Sequence, residues 1–162
     1  MMDANRLRFV EVFDNFDDRE LELLASVMDS RRFRAGQSVF RKGDRATACY
    51  VVLAGSVHVT VEGENNSSTV VASMTTGRMF GEISLVDGGL RSATCLASDK
   101  GAELAMLGRT EFDQIFNAGS PFAFKLMDLI AARVVDRVRA AAGELQGVVL
   151  HERSGSGIMS PD

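Results

Sequence analysis

Short, alternating, β-branched runs separated by glycines fill the stretch from Ser30 to Leu107, and this texture constrains the fold more than any other feature of the chain. The runs are Ser38 to Phe40, Tyr50 to Leu53, Ser56 to Val61, Thr69 to Met74, Ala93 to Ala97 and Glu103 to Leu107. Between them stand turn signals at Gly36, Lys42-Gly43-Asp44, Ala54-Gly55, Gly63 to Ser68, Gly77, Gly88-Gly89 and Gly101. A reversal about every ten residues suits strands that pair with antiparallel neighbours, as in a jelly-roll. The expected architecture is α+β: an antiparallel β-roll (jelly-roll, double-stranded β-helix) with flanking N-terminal and C-terminal helices. Gly43 and Gly55 read as turn glycines that need positive φ.

The flanks follow the helical period. From Phe9 to Met28 the pattern is helical, with Asp17 and Glu20 spaced as a capping box and Leu21, Leu24 and Met28 on one face. After Leu107 the period returns over Arg109 to Asn117. Beyond Gly119-Ser120-Pro121, an N-cap and first-turn pair, it runs on to about Leu145. Leu126, Ile130, Val134, Val138, Ala141 and Leu145 form one stripe of this helix, and Met127, Ala131 and Val135 a second. The second stripe either packs within the same domain or meets another chain, which makes a homodimer through the C-terminal helix one of two readings. A chain of 162 residues is the size of one domain. Residues 1–147 are therefore assigned to it, with the β-roll at about 30–108 and the helices at about 109–147. The polar segment 148–162 reads as a flexible tail.

Several function classes are excluded at this level. No apolar run approaches the roughly 20 residues that cross a bilayer, and no signal segment opens the chain, which points to a cytoplasmic protein without membrane contact. A formal charge of -4 offers nucleic acid no overall attraction. Cys49 and Cys95 sit in apolar strand surroundings without C-x-x-C spacing and read as buried, reduced thiols. The barrel region holds a single histidine, His58, flanked by Val57 and Val59, and reads as satisfied or solvent-facing. A metal-binding cupin needs several converging histidines, so that enzyme class fails, and no nucleophile with a positioned base can be assembled. Neither a metal nor another cofactor is expected.

Chemistry concentrates in Phe80-Gly81-Glu82-Ile83-Ser84-Leu85-Val86-Asp87-Gly88-Gly89-Leu90-Arg91-Ser92-Ala93-Thr94. Gly81 lets backbone approach a ligand closely, and Glu82 to Val86 can form one helical turn with N–H groups facing an anion. Arg91 follows across a Gly-Gly turn with a planar guanidinium that can grip two phosphate oxygens. Ser92 adds a hydroxyl donor. Glu82 would be repelled by phosphate and suits a sugar hydroxyl at the other end of a small ligand.

These residues resemble the phosphate-binding cassette of the cyclic nucleotide-binding domain family, which includes catabolite activator proteins, cyclic-nucleotide-dependent kinases and cyclic-nucleotide-gated channels. Phe-Gly-Glu, the small Ser84, Leu85 and the Arg-Ser-Ala-Thr that follows carry the likeness. A second block, Gly43-Asp44-Arg45-Ala46, Tyr50-Val51-Val52 and Gly55-Ser56-Val57, is similar to the strands that precede the cassette. The resemblance implies that Glu82 holds the ribose 2′-hydroxyl and Arg91 the cyclic phosphate. Backbone amides from Gly81 to Ser84, the Ser92 hydroxyl and the Ser92 or Ala93 amide would complete the cradle. Val71, Met79, Ile83 and Leu85 are candidates to line the base or the barrel interior.

In the family a helix after the barrel caps the purine, which turns binding into movement. Here the long C-terminal helix would do so, with Arg133 the first choice for the base contact and an Arg133–Asp136 surface pair the alternative. The sequence stops before any DNA-reading helix-turn-helix, so no direct DNA binding is expected, and the signal would pass to an unidentified effector protein. The alternatives are a regulatory fragment of a larger transcription factor, channel or kinase, or a ligand-free interaction scaffold with the same fold. The brevity of the chain, which resembles bacterial members, leans to cAMP over cGMP.

Overall fold

The structure, a computed structural model, describes residues 2–63, 65 and 67–155. Two short 3-10 turns, Ala4–Arg6 and Glu11–Phe13, lead into helix α1, Asp18–Val27. Strands β1 (Met28–Phe33), β2 (Ser38–Phe40), β3 (Ala48–Glu62), β4 (Ser68–Thr75) and β5 (Met79–Phe80) follow. Helix α2 (Glu82–Asp87), strand β6 (Thr94–Gly108), α3 (Arg109–Asn117) and α4 (Pro121–Gly155) complete the order. The chain divides into two compact units, with the boundary between Lys125 and Leu126, inside α4.

The capping box fixes where α1 begins. Asp17 accepts the Glu20 amide N–H at 2.8 Å through its side chain, and the Glu20 carboxylate accepts the Asp17 amide at 2.8 Å. Because both terminal donors are satisfied there, the helix starts at Asp18 and not near Phe9, which is exposed ahead of the Glu11–Phe13 turn. Its far end is also earlier than the period implies, since Met28 opens β1 and pairs with Leu107 of β6. At the other flank Ser120 caps α4 as expected, its carbonyl and hydroxyl both accepting the Ala123 amide. The helix passes Leu145 and continues to Gly155, so 148–155 is helical where a flexible tail was expected. Ala, Leu, Glu and Gln are strong helix formers, and a single Gly147 does not stop their ladder. Residues 156–162 lie outside the described set.

The six strands form one antiparallel sheet built on its two long members. β6 pairs with β1, β2 and β3, while β3 pairs also with β4 and β5. Ala54-Gly55 and Gly101, expected to reverse the chain, lie inside β3 and β6 instead. The β3–β6 ladder shifts register between Val52 and Ala54 and again between Gly55 and Val57. Gly55 has φ +75°, and a methyl group there would overlap the carbonyl of Gly101. These glycines make bulges that bend continuous strands, where the sequence pattern alone reads as turns.

Alternation decides which side chains enter the roll. Ala48, Tyr50 and Val52 point inward before the bulge and Val57 after it, meeting Phe80, Cys95, Ala97, Ala102 and Leu104. Val51 and Ala105, on the other side of the same strands, are also fully buried, so β3 and β6 are covered on both faces at this point. Cys49 and Cys95 are free and buried, as expected. His58 is paired across the ladder with Ser73, its Nδ1 lying 2.9 Å from the hydroxyl.

One charged clasp ties the N-terminus to the sheet. Arg6 donates to Glu103 of β6 at 2.6 Å, Ser30 of β1 donates to the same oxygen at 3.0 Å, and Arg32 stands 3.6 Å away. The hydrogen bond from Arg6, aided by Ser30 and the charges of Arg6 and Arg32, pulls the Glu103 pKa down from 4.5 to about 2. A depressed carboxylate stabilises the fold above its unfolded pKa and loses that contribution as the pH falls through the folded value. The contribution is expected to be complete above about pH 4.5 and to vanish toward pH 2. Glu103→Gln is expected to cost about 1–2 kcal/mol at pH 7 and to flatten this acid limb in urea titrations. Gly55→Ala, which combines the carbonyl overlap with left-handed strain, is expected to cost about 2–4 kcal/mol by the same measurement.

Candidate functional site

The site grows out of the shortest strand. β5 brings Phe80 opposite Tyr50 and Met79 opposite Val51. The chain then turns at Gly81, where φ is +78°, into the six residues of α2. A methyl group on Gly81 would stand 2.7 Å from the Arg91 Nη1, so the glycine is what lets the guanidinium reach the backbone beneath it. After α2 the Asp87 carboxylate accepts the Gly89 amide at 2.7 Å, closing the reversal that returns the chain to Arg91.

Arg91 is held from both ends. Along the backbone, the Gly43 N–H donates to the Arg91 carbonyl at 2.8 Å and the Arg91 N–H donates to the Asp44 carbonyl at 2.9 Å. The turn that grips it is braced by Asp44, whose side chain accepts the Arg41 amide at 2.8 Å, and by Thr94, whose hydroxyl accepts the Lys42 amide at 3.0 Å. At its tip, Nη1 donates to the Gly81 carbonyl at 2.9 Å and Nη2 to the Ala48 carbonyl. The guanidinium carbon lies 4.1 Å from the ring centre of Phe40 and 5.8 Å from that of Tyr50. Tyr50 and Phe80 stack at 5.3 Å, and Phe40 leans on both at about 6 Å.

The electrostatics are those of a buried cation in an apolar wall. Arg91 is 4% exposed, none of the ion pairs of the described residues involves it, and its Nε is buried without an acceptor among them. Burial lowers its pKa, opposed by Tyr50, Cys49, Cys95 and the Asp44 carboxylate. Glu82, at the first turn of α2, is fully buried. Burial pushes the Cys49 thiol up to about 12, with Glu82 adding to the rise and Arg91 opposing it, so Cys49 feels both charges. A carboxylate and a guanidinium buried in one wall can take the two ends of a ligand that carries both an anion and a hydroxyl.

The structure brings Gly81, Glu82 and Arg91 together. Ile83 is partly exposed on α2, Ser92 is exposed and Ala93 half-buried beside Arg91, and the side chains of Ser84 and Leu85 lie outside the described set. Val71 is exposed on β4, next to the register shift of the β3–β4 ladder. Met79 belongs to β5. It is buried opposite Val51, and the alternation that sends Phe80 and Tyr50 into the roll sends Met79 to the other face. Arg133 belongs to the second compact unit, which begins at Leu126. Sequence reasoning missed Phe40, the Ala48 carbonyl and the Asp44 brace. An aromatic residue just ahead of the Lys42-Gly43-Asp44 turn was the available signal for the first.

The pattern of the family described as Cyclic nucleotide-binding domain matches residues 30–118. The cGMP-dependent protein kinase egl-4 of Caenorhabditis elegans is 30% identical over 113 residues, which cover 68% of this chain and 14% of the kinase. The Cyclic AMP receptor protein of Thermus thermophilus is 29% identical over 123 residues, covering 76% of this chain and 56% of the receptor. The crystal structure of the Thermus thermophilus Catabolite Activator Protein superposes with a TM-score of 0.74 at 28% identity, over 85% of this chain and 62% of that one. The chain thus spans only a part of each of these relatives.

Gly81→Ala provides a local test of how the guanidinium is seated. The added methyl group must displace Nη1 while the backbone holds φ +78°, and the expected loss is about 1–3 kcal/mol in chemical denaturation.

Proposed function

Because the chain belongs to the cyclic nucleotide-binding domain family, we propose that its first compact unit takes a 3′,5′-cyclic purine nucleotide between Arg91 and Glu82, with cAMP ahead of cGMP. The observation that carries this reading is the condition of Arg91. It is a guanidinium sunk in the roll wall, with no ion pair and no acceptor for Nε among the described residues. A buried cation of this kind is stabilised by an anionic group that reaches it, and a cyclic phosphate offers two exocyclic oxygens to its planar edge. Glu82, acceptor-only when ionised, takes the ribose 2′-hydroxyl, and the Gly81 to Ser84 amides with Ser92 and Ala93 complete the phosphate cradle. Ile83 and Val71 line the base side, while Met79, on the other face, drops out. The preference for cAMP follows the short, bacterial-looking chain and its likeness to the cyclic AMP receptor protein, while the equal likeness to the cGMP-dependent kinase keeps cGMP as the second ligand.

The module works by binding and transmits the result through α4, which starts in the unit that holds the site and continues past its boundary. Val135 and Val138 are exposed there, one turn apart, and are available to an effector protein or a second copy. A coupling of about 1–3 kcal/mol between nucleotide and helix is sufficient for such a signal.

Calorimetric titration with both nucleotides tests the proposal. Wild-type protein is expected to bind at micromolar concentration and to melt at higher temperature when either saturates it. Arg91→Lys keeps the charge but loses the planar fork, and is expected to weaken binding about 100-fold. If neither nucleotide shifts the melting temperature at millimolar concentration, the chain is a ligand-free scaffold of the same fold. If Arg91→Lys binds like wild type, the phosphate lies elsewhere.

A further inference from the structure

The segment that grips the Arg91 backbone also supplies the surface under its guanidinium. Phe40 closes β2 and is followed directly by the 41–44 turn, whose amide and carbonyl hold the Arg91 main chain. The ring lies 4.1 Å from the guanidinium carbon, closer than the 5.8 Å of Tyr50, and leans on Tyr50 and Phe80, which keeps it from rotating away. We infer that Phe40 is a positioning residue: its face holds the Arg91 guanidinium in the plane that presents Nε to the ligand's anionic group, and thereby sets affinity for that group. The inference rests on the cyclic nucleotide reading above and adds a residue to it.

An aromatic face does for a cation what a carboxylate would not. An aspartate in ion-pair range would position the guanidinium firmly, but would also neutralise it and compete with the incoming phosphate. A ring quadrupole attracts the cation and restricts its orientation while leaving the in-plane N–H edge unoccupied. The two carbonyls take one N–H from each terminal nitrogen, which leaves the Nε edge for the ligand. Leucine in place of Phe40 would preserve apolar bulk but offer no face to the cation.

The test is a double-mutant cycle in the full chain, read by titration with cAMP. Phe40→Leu is expected to weaken binding about 5- to 20-fold, while Phe40→Tyr, which restores a ring, is expected to stay within about twofold of wild type. In an Arg91→Gln background, where there is no cation to orient, Phe40→Leu is expected to change affinity by less than about twofold. Should Phe40→Leu melt below the assay temperature, Phe40→Met takes its place in the same cycle. A loss of equal size in both backgrounds, or no loss in wild type, overturns the positioning role while leaving nucleotide binding intact. A wild-type chain that binds neither cAMP nor cGMP overturns the underlying reading and this inference with it. In that event the Arg91 side-chain N–H resonance, unmoved by Phe40→Leu, would exclude the stacking as well.

Discussion

A guanidinium in the wall of a β-roll must be compensated, and much of the local architecture around Arg91 supplies that compensation. Two main-chain carbonyls accept its terminal nitrogens, an aromatic face lies along its plane, and a turn holds its backbone at both N–H and carbonyl. Each partner comes from a different part of the chain. Gly81 follows β5, Ala48 opens β3, Phe40 closes β2 and Asp44 lies between them. The cation thus acts as a node where segments distant in sequence are brought to a single geometry, and Gly81 is required because a side chain there would occupy the space of the guanidinium.

The two long strands make this convergence feasible. β3 and β6 pair along most of their length, and glycine bulges change their register partway. A bulge alters which residues face inward without ending the strand, so the same ladder can bury Tyr50 and Val52 on one side of the kink and Val57 on the other. Burial on both faces near Val51 and Val52 stiffens the portion of β3 that carries Ala48 and Tyr50 to the site.

Much of this was legible in the sequence, for reasons that differ by residue. The capping box at Asp17, the Ser120-Pro121 start, the α3 segment and the β2 run each depend on local chemistry, and the folded chain keeps them. The segment from Phe80 to Thr94 stood out because glycine, carboxylate and guanidinium occur at a spacing that core packing alone does not call for, and the folded chain buries Glu82 and Arg91. β1 was hidden because Met-Asp-Ser-Arg-Arg-Phe carries almost no strand propensity and is recruited by the β6 ladder. Gly55 and Gly101 misled for a related reason: a positive φ signals a departure from regular backbone, but only the partner strand decides whether that departure is a reversal or a bulge. The pairing of Phe40 with Arg91 spans about two thirds of the roll sequence, and no periodicity links them.

The double grip on Arg91 also bears on how such a module can be re-engineered. Loop exchange between homologues usually treats a short ligand-contacting segment as a portable part, but here 80–94 and 40–48 are two halves of one mechanical joint. A chimaera that imports the first without the second would receive a guanidinium with no matching cradle. The smallest transplantable unit is discontinuous, and sequence drift in either half constrains what the other can accept.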